Sequence, residues 1–236
     1  MKNSITCKNC SAENPPYAYI CSNCGAFLRS RVHNIDLIKT TSKLIETPSQ
    51  AFKNIIFAEH KNFIFVILFL LSIRFLIDAR FISLISIGEF QSKGSLIVSL
   101  LLVLAAATIF LILFSWLLKL VWKSLQIETR IKDNFSILIY ALLPNIFALI
   151  FLFPLEVEVF GQYLFSVNPT PFVIKGTIAY LFAGAEVAIK IWIIFLIYKA
   201  FKVQTESFLI SVFSTSIFIF CMALLFYFLS TIIFTL

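Results

Sequence analysis

From Leu96 to Leu118 the chain runs 23 residues without a charged side chain. As a helix this stretch reaches about 34 Å, enough to cross a hydrocarbon core of about 30 Å. In lipid no water is available for backbone N–H and C=O groups, so a single segment must satisfy them internally, as a helix. That one run commits the protein to a bilayer. Composition agrees: 60% of residues are hydrophobic and 13% charged, against about 45–50% apolar and about 25% charged in soluble domains. The polar surface is too small to cover a water-soluble body.

Other runs predict further spans. Phe135 to Phe153 reads as one, closed by Pro154; Gly176 to Tyr198 as another; Phe208 to the end of the chain as a last. The first is weaker. Phe63 to Ile77 gives only 15 residues, with Arg74 inside and Asp78 and Arg80 just after. Such a span either lets Arg74 and Arg80 snorkel outward or continues through Ile87. Trp116 and Trp122 read as interfacial anchors at the inner end of the second span. The expectation is an all-α membrane protein with a bundle of five transmembrane helices and termini on opposite sides.

Charge orients it. The net charge is +7. No charged start followed by an apolar run occurs in the first sixty residues, so the N-terminus is expected in the cytoplasm. Of the 19 Lys/Arg, that orientation puts Arg80, Lys93 and Lys175 outside and leaves Arg74 and Lys190 within spans; the other fourteen face the cytoplasm. This is a positive-inside bias. Basic charge of this kind serves orientation and headgroup contact, so nucleic acid is not an expected partner. The connection from Pro154 to Lys175, with Glu156 and Glu158, is placed outside.

Ahead of the spans, Cys7-x2-Cys10 and Cys21-x2-Cys24 are separated by ten residues. Two such knuckles present four thiolates to one Zn2+ ion. The alternatives are two disulfides or a disordered tail, and a cytosolic location argues against disulfides. A segment this small has no core, so the metal would supply its folding energy. Four thiolates leave no open position, which makes the expected zinc structural. The pattern resembles small zinc ribbons at the N-termini of prokaryotic membrane proteins. Gly25 fits that resemblance, whereas Ser11 stands where a glycine often follows the first knuckle.

Residues 1–28 are thus read as a zinc ribbon, 29–61 as a basic linker with a short amphipathic helix, and 62–236 as the membrane domain. Within the linker, Ile38 and Ile45 lie one heptad apart beside Leu37 and Leu44, a helical pattern. Thr47-Pro48-Ser49-Gln50 reads as a helix start, with Pro48 at the first position and a Thr47/Gln50 capping box. The helix over 48–59 is expected to lie at the cytoplasmic membrane face or to pack on the bundle.

Three ionisable residues stand out inside spans: Arg74, Glu186 and Lys190. Each is a candidate functional group by virtue of its location. Glu186 and Lys190 either form a self-satisfied i,i+4 pair or reach other helices, and depth along the spans allows Glu186 to meet Arg74. Pro144 removes a backbone donor and frees the Tyr140 carbonyl, so a kink and a protected, in-bundle position are expected there. His33 and His60 read as surface histidines and Cys221 as a small buried apolar residue. No nucleophile–base or phosphate-loop pattern occurs.

Residues 47–56, TPSQAFKNII, and the region from Trp116 to Pro144 with Tyr140-Ala141-Leu142-Leu143-Pro144 resemble the Yip family of Ypt/Rab-interacting membrane proteins. The resemblance spans roughly residues 44–236. Ile127-Glu128-Thr129-Arg130 departs from the family's glycine-rich loop, and the first span is short. What the resemblance implies is a non-enzymatic five-span domain in trafficking or membrane shaping, with no catalytic residues to carry over. The expected function is an integral membrane adaptor or scaffold whose ribbon docks a cytosolic or membrane protein, in the lipid bilayer and as a potential homo-oligomer. The alternative is a channel or transporter subunit using Arg74, Glu186 and Lys190.

Overall fold

A computed structural model describes residues 3–86 and 95–235. Ile87 and Lys93, which entered the reading of the first span and of the outer charges, lie outside the described residues. The chain is mostly helical and forms two compact units: Met1–Ile64 with Phe110–Ala141 and Leu196–Thr215, and Phe65–Ile109 with Leu142–Phe195 and Ser216–Leu236.

In the first unit, β1 (Ile5–Thr6) and β2 (Glu13–Asn14) pair as an antiparallel hairpin, and Ile20 bridges Phe27. Next, β3 (Val32–Asn34) pairs in parallel with β4 (Ala58–His60), setting Val32 opposite Ala58 and Asn34 opposite His60. Between these strands run α1 (Leu37–Glu46) and α2 (Pro48–Phe57). Asp36 caps α1 by accepting from the Lys39 amide at 3.1 Å. Leu44 and Thr40 face inward, while Ile38 and Ile45 stay exposed. The heptad pair that signalled the helix therefore lies on its outer side.

The expected capping box does not form. Thr47 closes α1, its own N–H donating to Lys43 O at 2.8 Å, and its side chain makes no cap bond to α2. Only its carbonyl serves α2, accepting from the Gln50 amide at 2.9 Å. Pro48 does occupy the first turn, where its missing N–H costs nothing. Ala51, Phe52 and Ile55 are wholly buried, and α2 packs on α1 and on α5 (Ile131–Ala141). Of the two placements considered for this helix, its apolar face takes the protein one.

This unit also holds the end of α4 (Leu96–Ser124), the end of α9 (Gly176–Thr205) and the start of α10 (Phe208–Thr235). Polar side chains tie these elements together. Asn134 donates to Ser115 O at 3.1 Å, Gln204 donates to Asn134 Oδ1 at 3.0 Å, and Tyr140 Oη donates to Asn62 O at 2.8 Å. Trp122 corrects the sequence reading. It is fully buried, edge-on to Phe201 at 5.6 Å, so it is a packing residue; Trp116, on the same helix, is 47% exposed.

The second unit contains most of α3 (Ile64–Ser86), the first part of α4, and a chain of short helical pieces. These are α6 (Pro144–Phe147), a π-helical turn Ala148–Leu152, α7 (Phe153–Phe160), a 3-10 turn Gly161–Phe165 and α8 (Pro171–Ile174). Phe160, Leu164 and Ala179 form one of its buried apolar clusters, with Phe81, Phe165 and Phe182 packed around them. Pro154 does not close the span. The wider turn ahead of it, bonded from Phe153 N–H to Ala148 O, makes room for a residue without a donor, and the helix continues. Glu156, expected in an outer loop, is instead buried on α7. At Leu142–Leu143 the α-helix is interrupted, and Pro144 opens the next piece.

Four helices among the described residues are long and apolar enough to cross a membrane: Leu96–Ser124, Ile131–Phe165, Gly176–Thr205 and Phe208–Phe234. This is the composition of an integral membrane protein. Of the most apolar stretch in Ile131–Phe165, 67% is buried in the protein, against 17% for Leu96–Ser124 and for Gly176–Thr205. The helix expected as the first span, α3, has 23 residues but carries Arg74, Asp78 and Arg80.

Candidate metal centre and buried charge cluster

The two Cys-x-x-Cys turns are near copies. In the first, Ser11 N–H donates to Cys7 O at 2.9 Å and Cys7 N–H to Ala12 O at 3.0 Å. In the second, Gly25 N–H donates to Cys21 O at 3.1 Å and Cys21 N–H to Ala26 O at 2.8 Å. Each loop needs one residue in the left-handed region: Ser11 at φ 57° and Gly25 at φ 70°. The turns bring Cys7, Cys10, Cys21 and Cys24 together, with all four sulfurs within 4.8 Å of one another and no disulfide. Cys7 Sγ lies 3.6 Å from Cys24 Sγ, and Cys10 Sγ 3.6 Å from Cys21 Sγ. A tetrahedral ion with metal–sulfur bonds of about 2.3 Å sets sulfur–sulfur edges of about 3.8 Å, so the donor set fits a single ion.

The surroundings favour thiolate at Cys21 and Cys24, whereas Cys10 is pushed up to about 11, the lowering by the Ala12 backbone being outweighed by hydrogen bonding with Cys24 and by burial. Backbone N–H groups of Cys24 and Asn23 lower Cys21 to about 6, and the Asn14 amide helps by donating to its sulfur at 3.5 Å. Cys24 is lowered as well, mainly by the Ala26 backbone amide. Amides aimed at sulfur hold the charge that a metal then uses.

The four-cysteine segment is keyed to its own unit. Asn3 donates to Glu128 O at 3.1 Å and accepts from Glu128 N–H at 3.0 Å. The Arg130 guanidinium lies 4.3 Å over the Tyr17 ring, and Arg29 lies 4.1 Å over Phe57. Arg130 also donates to Asp133 at 2.6 Å and to Ile56 O at 3.1 Å. Lys61 joins from the other side, pairing with Asp133 at 3.0 Å and donating to Ile55 O and Ile56 O. Burial lowers Lys61 to about 8, against the opposing pull of Asp133. A cavity of about 300 Å³ opens beside this lattice, lined by Asn3, Tyr17, Lys53, Glu128 and Gln204.

The second unit carries the charges singled out from sequence. Arg74 is 1% exposed and meets Glu186 at 2.5 Å. The same Arg74 nitrogen lies 2.9 Å from Asp78, and Lys190 reaches Asp78 at 2.7 Å and Asn145 Oδ1 at 2.9 Å. The result is one line of contacts: Glu186, Arg74, Asp78, Lys190, Asn145. Glu186 and Lys190 do not pair with each other; both reach across to α3. Sequence reasoning missed Asp78, Asn145 and Glu156. A signal for Asp78 was present, since it lies one turn after Arg74 as Lys190 lies one turn after Glu186.

Two cations and two anions cancel, which is the condition for burying them. Hydrogen bonding does not close as neatly. Arg74 Nε and Nη1, Glu186 Oε1 and Glu156 Oε2 are buried without a partner. The Glu156 carboxyl is within electrostatic range of Glu186, Arg74 and Asp78. Donors and acceptors thus remain unmatched in one neighbourhood.

No family model matches the chain, and no curated protein or solved structure shows significant similarity to it.

Proposed function

We propose that the protein is a non-enzymatic integral membrane adaptor, with a structural Zn2+ held by Cys7, Cys10, Cys21 and Cys24 and a cytoplasmic face that docks another protein. The observation that carries this reading is the keying of the ribbon to the surface formed by α2 and residues 126–133. Asn3, Arg29 and Arg130 fasten the segment over the buried Lys61–Asp133 pair, beside a polar cleft, and Phe27, Ile38 and Ile45 stand exposed in the same unit. Exposed apolar residues on a polar, rigid support are features of protein-binding surfaces. The pairing of Arg74 and Asp78 supports counting α3 as a fifth span, because neutralised charges cost far less in lipid. The same reading keeps the likeness of residues 44–236 to the Yip family. Crosslinking and pull-down through the intact ribbon, repeated after zinc chelation, tests it. Partners that depend on the metal are expected; an unchanged set of partners discards the docking role.

A second reading, a channel or transporter subunit, is favoured by the unmatched Arg74, Glu186 and Glu156 atoms, which are the groups a hydrated pathway would use. Flux in proteoliposomes that disappears with Glu186→Gln establishes it over the adaptor. Exchanging the charges of Arg74 and Glu186 probes the structural role: each single exchange is expected to destabilise, and the double exchange to recover part of the loss.

A further inference from the structure

We propose that His33, Glu59 and His60 form a second, exchangeable metal site for a divalent ion that favours imidazole, such as Zn2+, Ni2+ or Cu2+. The site is distinct from the four-cysteine centre and has a different chemistry.

Its origin is the β3–β4 pairing. Two strands far apart in sequence run in parallel, with Asn34 opposite His60 and Val32 opposite Ala58. That register puts His33 beside Glu59, and the chain end of β4 brings His60 alongside. His33 Nδ1 lies 3.2 Å from Glu59 Oε2. The two imidazoles meet edge to face, with ring centres 4.9 Å apart. One donor atom from each of the three residues lies within 4.8 Å of the others.

Those distances suit a metal. Ligand atoms bonded at about 2.1 Å are about 3.4 Å apart on a tetrahedral edge and about 4.2 Å apart across an octahedron. The His33–Glu59 separation of 3.2 Å falls between a cis octahedral edge of about 3.0 Å and the tetrahedral one, and rotation of the exposed histidine side chains closes the rest. Two imidazoles and one carboxylate are a donor set of intermediate softness, suited to zinc, nickel or copper rather than magnesium or calcium. Arg31 grips the same carboxylate through Nε at 2.8 Å and Nη2 at 2.9 Å, fixing its plane. Second-sphere donors of this kind orient metal-bound carboxylates.

Three protein ligands leave positions open to solvent, and His33 is 60% exposed. Such an ion exchanges, unlike one enclosed by four thiolates. Binding would fasten β3, which follows the ribbon segment, to β4, which leads into α3. The site therefore clips two parts of one unit according to metal supply.

The test uses the purified full chain in detergent, loaded with zinc and passed over a desalting column equilibrated in micromolar free zinc, the zinc of the column buffer being subtracted. Elemental analysis is expected to give two zinc ions per chain at micromolar free zinc, and one after a mild chelator. His33→Ala/His60→Ala is expected to hold one ion under both conditions, that ion reporting an intact four-cysteine centre. Calorimetric titration of the zinc-loaded, mildly chelated protein with Ni2+ is expected to show one further site, weakened at least tenfold by either single histidine variant. In the unmodified protein, Ni2+ is expected to protect His33 and His60 from diethyl pyrocarbonate. A stoichiometry of one in the native chain, nickel binding unchanged in the double variant, or no protection of the histidines each overturns the proposal.

Discussion

Ser11 and Gly25 hold matching places in the two knuckles, yet only Gly25 is free of a Cβ in the left-handed conformation both require. A side chain there costs about 1 kcal/mol. Ser11→Gly is therefore expected to stabilise the ribbon by about that amount, read as greater resistance to zinc stripping in a chelator competition. Weaker zinc retention would show that the Ser11 side chain offsets its backbone cost. Lys61 supplies a pH-dependent term. Its folded value, about 8, lies below the 10.5 of the free side chain. Between those values the unfolded chain binds the proton and the folded one does not, so stability rises with pH across that window. Below pH 8 both states are protonated and the term is constant. Denaturant titrations from pH 7.5 to 10.5 are expected to show this rise in the native protein and a smaller one in Lys61→Met; equal slopes would remove Lys61 as its source. The cysteine positions were readable because Cys-x2-Cys spacing is a local property. The partners of Lys61 were not, because Asp133 and the Ile55 and Ile56 carbonyls are assembled by tertiary packing.

The helices show what periodicity reveals and what it hides. Long apolar runs marked α4, α9 and α10 because span length is set by the bilayer, though α4 and α9 extend beyond the residues expected, to Ser124 and Thr205. The direction a residue faces was harder to read. Trp116 and Trp122 sit on one helix, six positions apart, and composition treats them alike. One is half exposed and the other fully buried against Phe201. Trp122→Ala is expected to cost about 3–5 kcal/mol, as for large buried aromatics elsewhere, whereas Trp116→Ala is expected to cost well under half of that. Unfolding in mixed detergent checks this, and equal losses would return Trp122 to an anchoring role. Pro154 misled because a proline does not end a membrane helix where a local adjustment takes up its missing donor. Here a π-turn intervenes, which no propensity encodes.

At the scale of the whole molecule, the proposed orientation puts residues 119–134 with the ribbon in the cytoplasm and the stretch before Lys175 outside. Cysteines introduced at Lys132 and Thr170, in a Cys221→Ser background, are expected to react with membrane-impermeant maleimide from opposite sides in oriented vesicles, each counted as labelling above that of the background protein, which keeps its four N-terminal cysteines. Labelling from the same side would refute an odd number of crossings between them. The Arg74–Glu186 contact was accessible from depth along the spans, but its continuation through Asp78 to Asn145 was not, since it depends on how helices are rotated. The interrupted segment Ile131–Phe165 has a consequence for how the protein is made. It contains a break, a π-turn and buried Asn145 and Glu156, and most of its apolar surface meets protein. Lipid alone offers its freed backbone groups nothing. It should therefore enter the bilayer poorly by itself and settle only once its neighbours are in place. Fused alone to a glycosylation reporter, it is expected to insert less efficiently than Leu96–Ser124. During synthesis it would wait at the insertion machinery until α9 emerges, so that the most protected of the four candidate spans settles only after a helix made later.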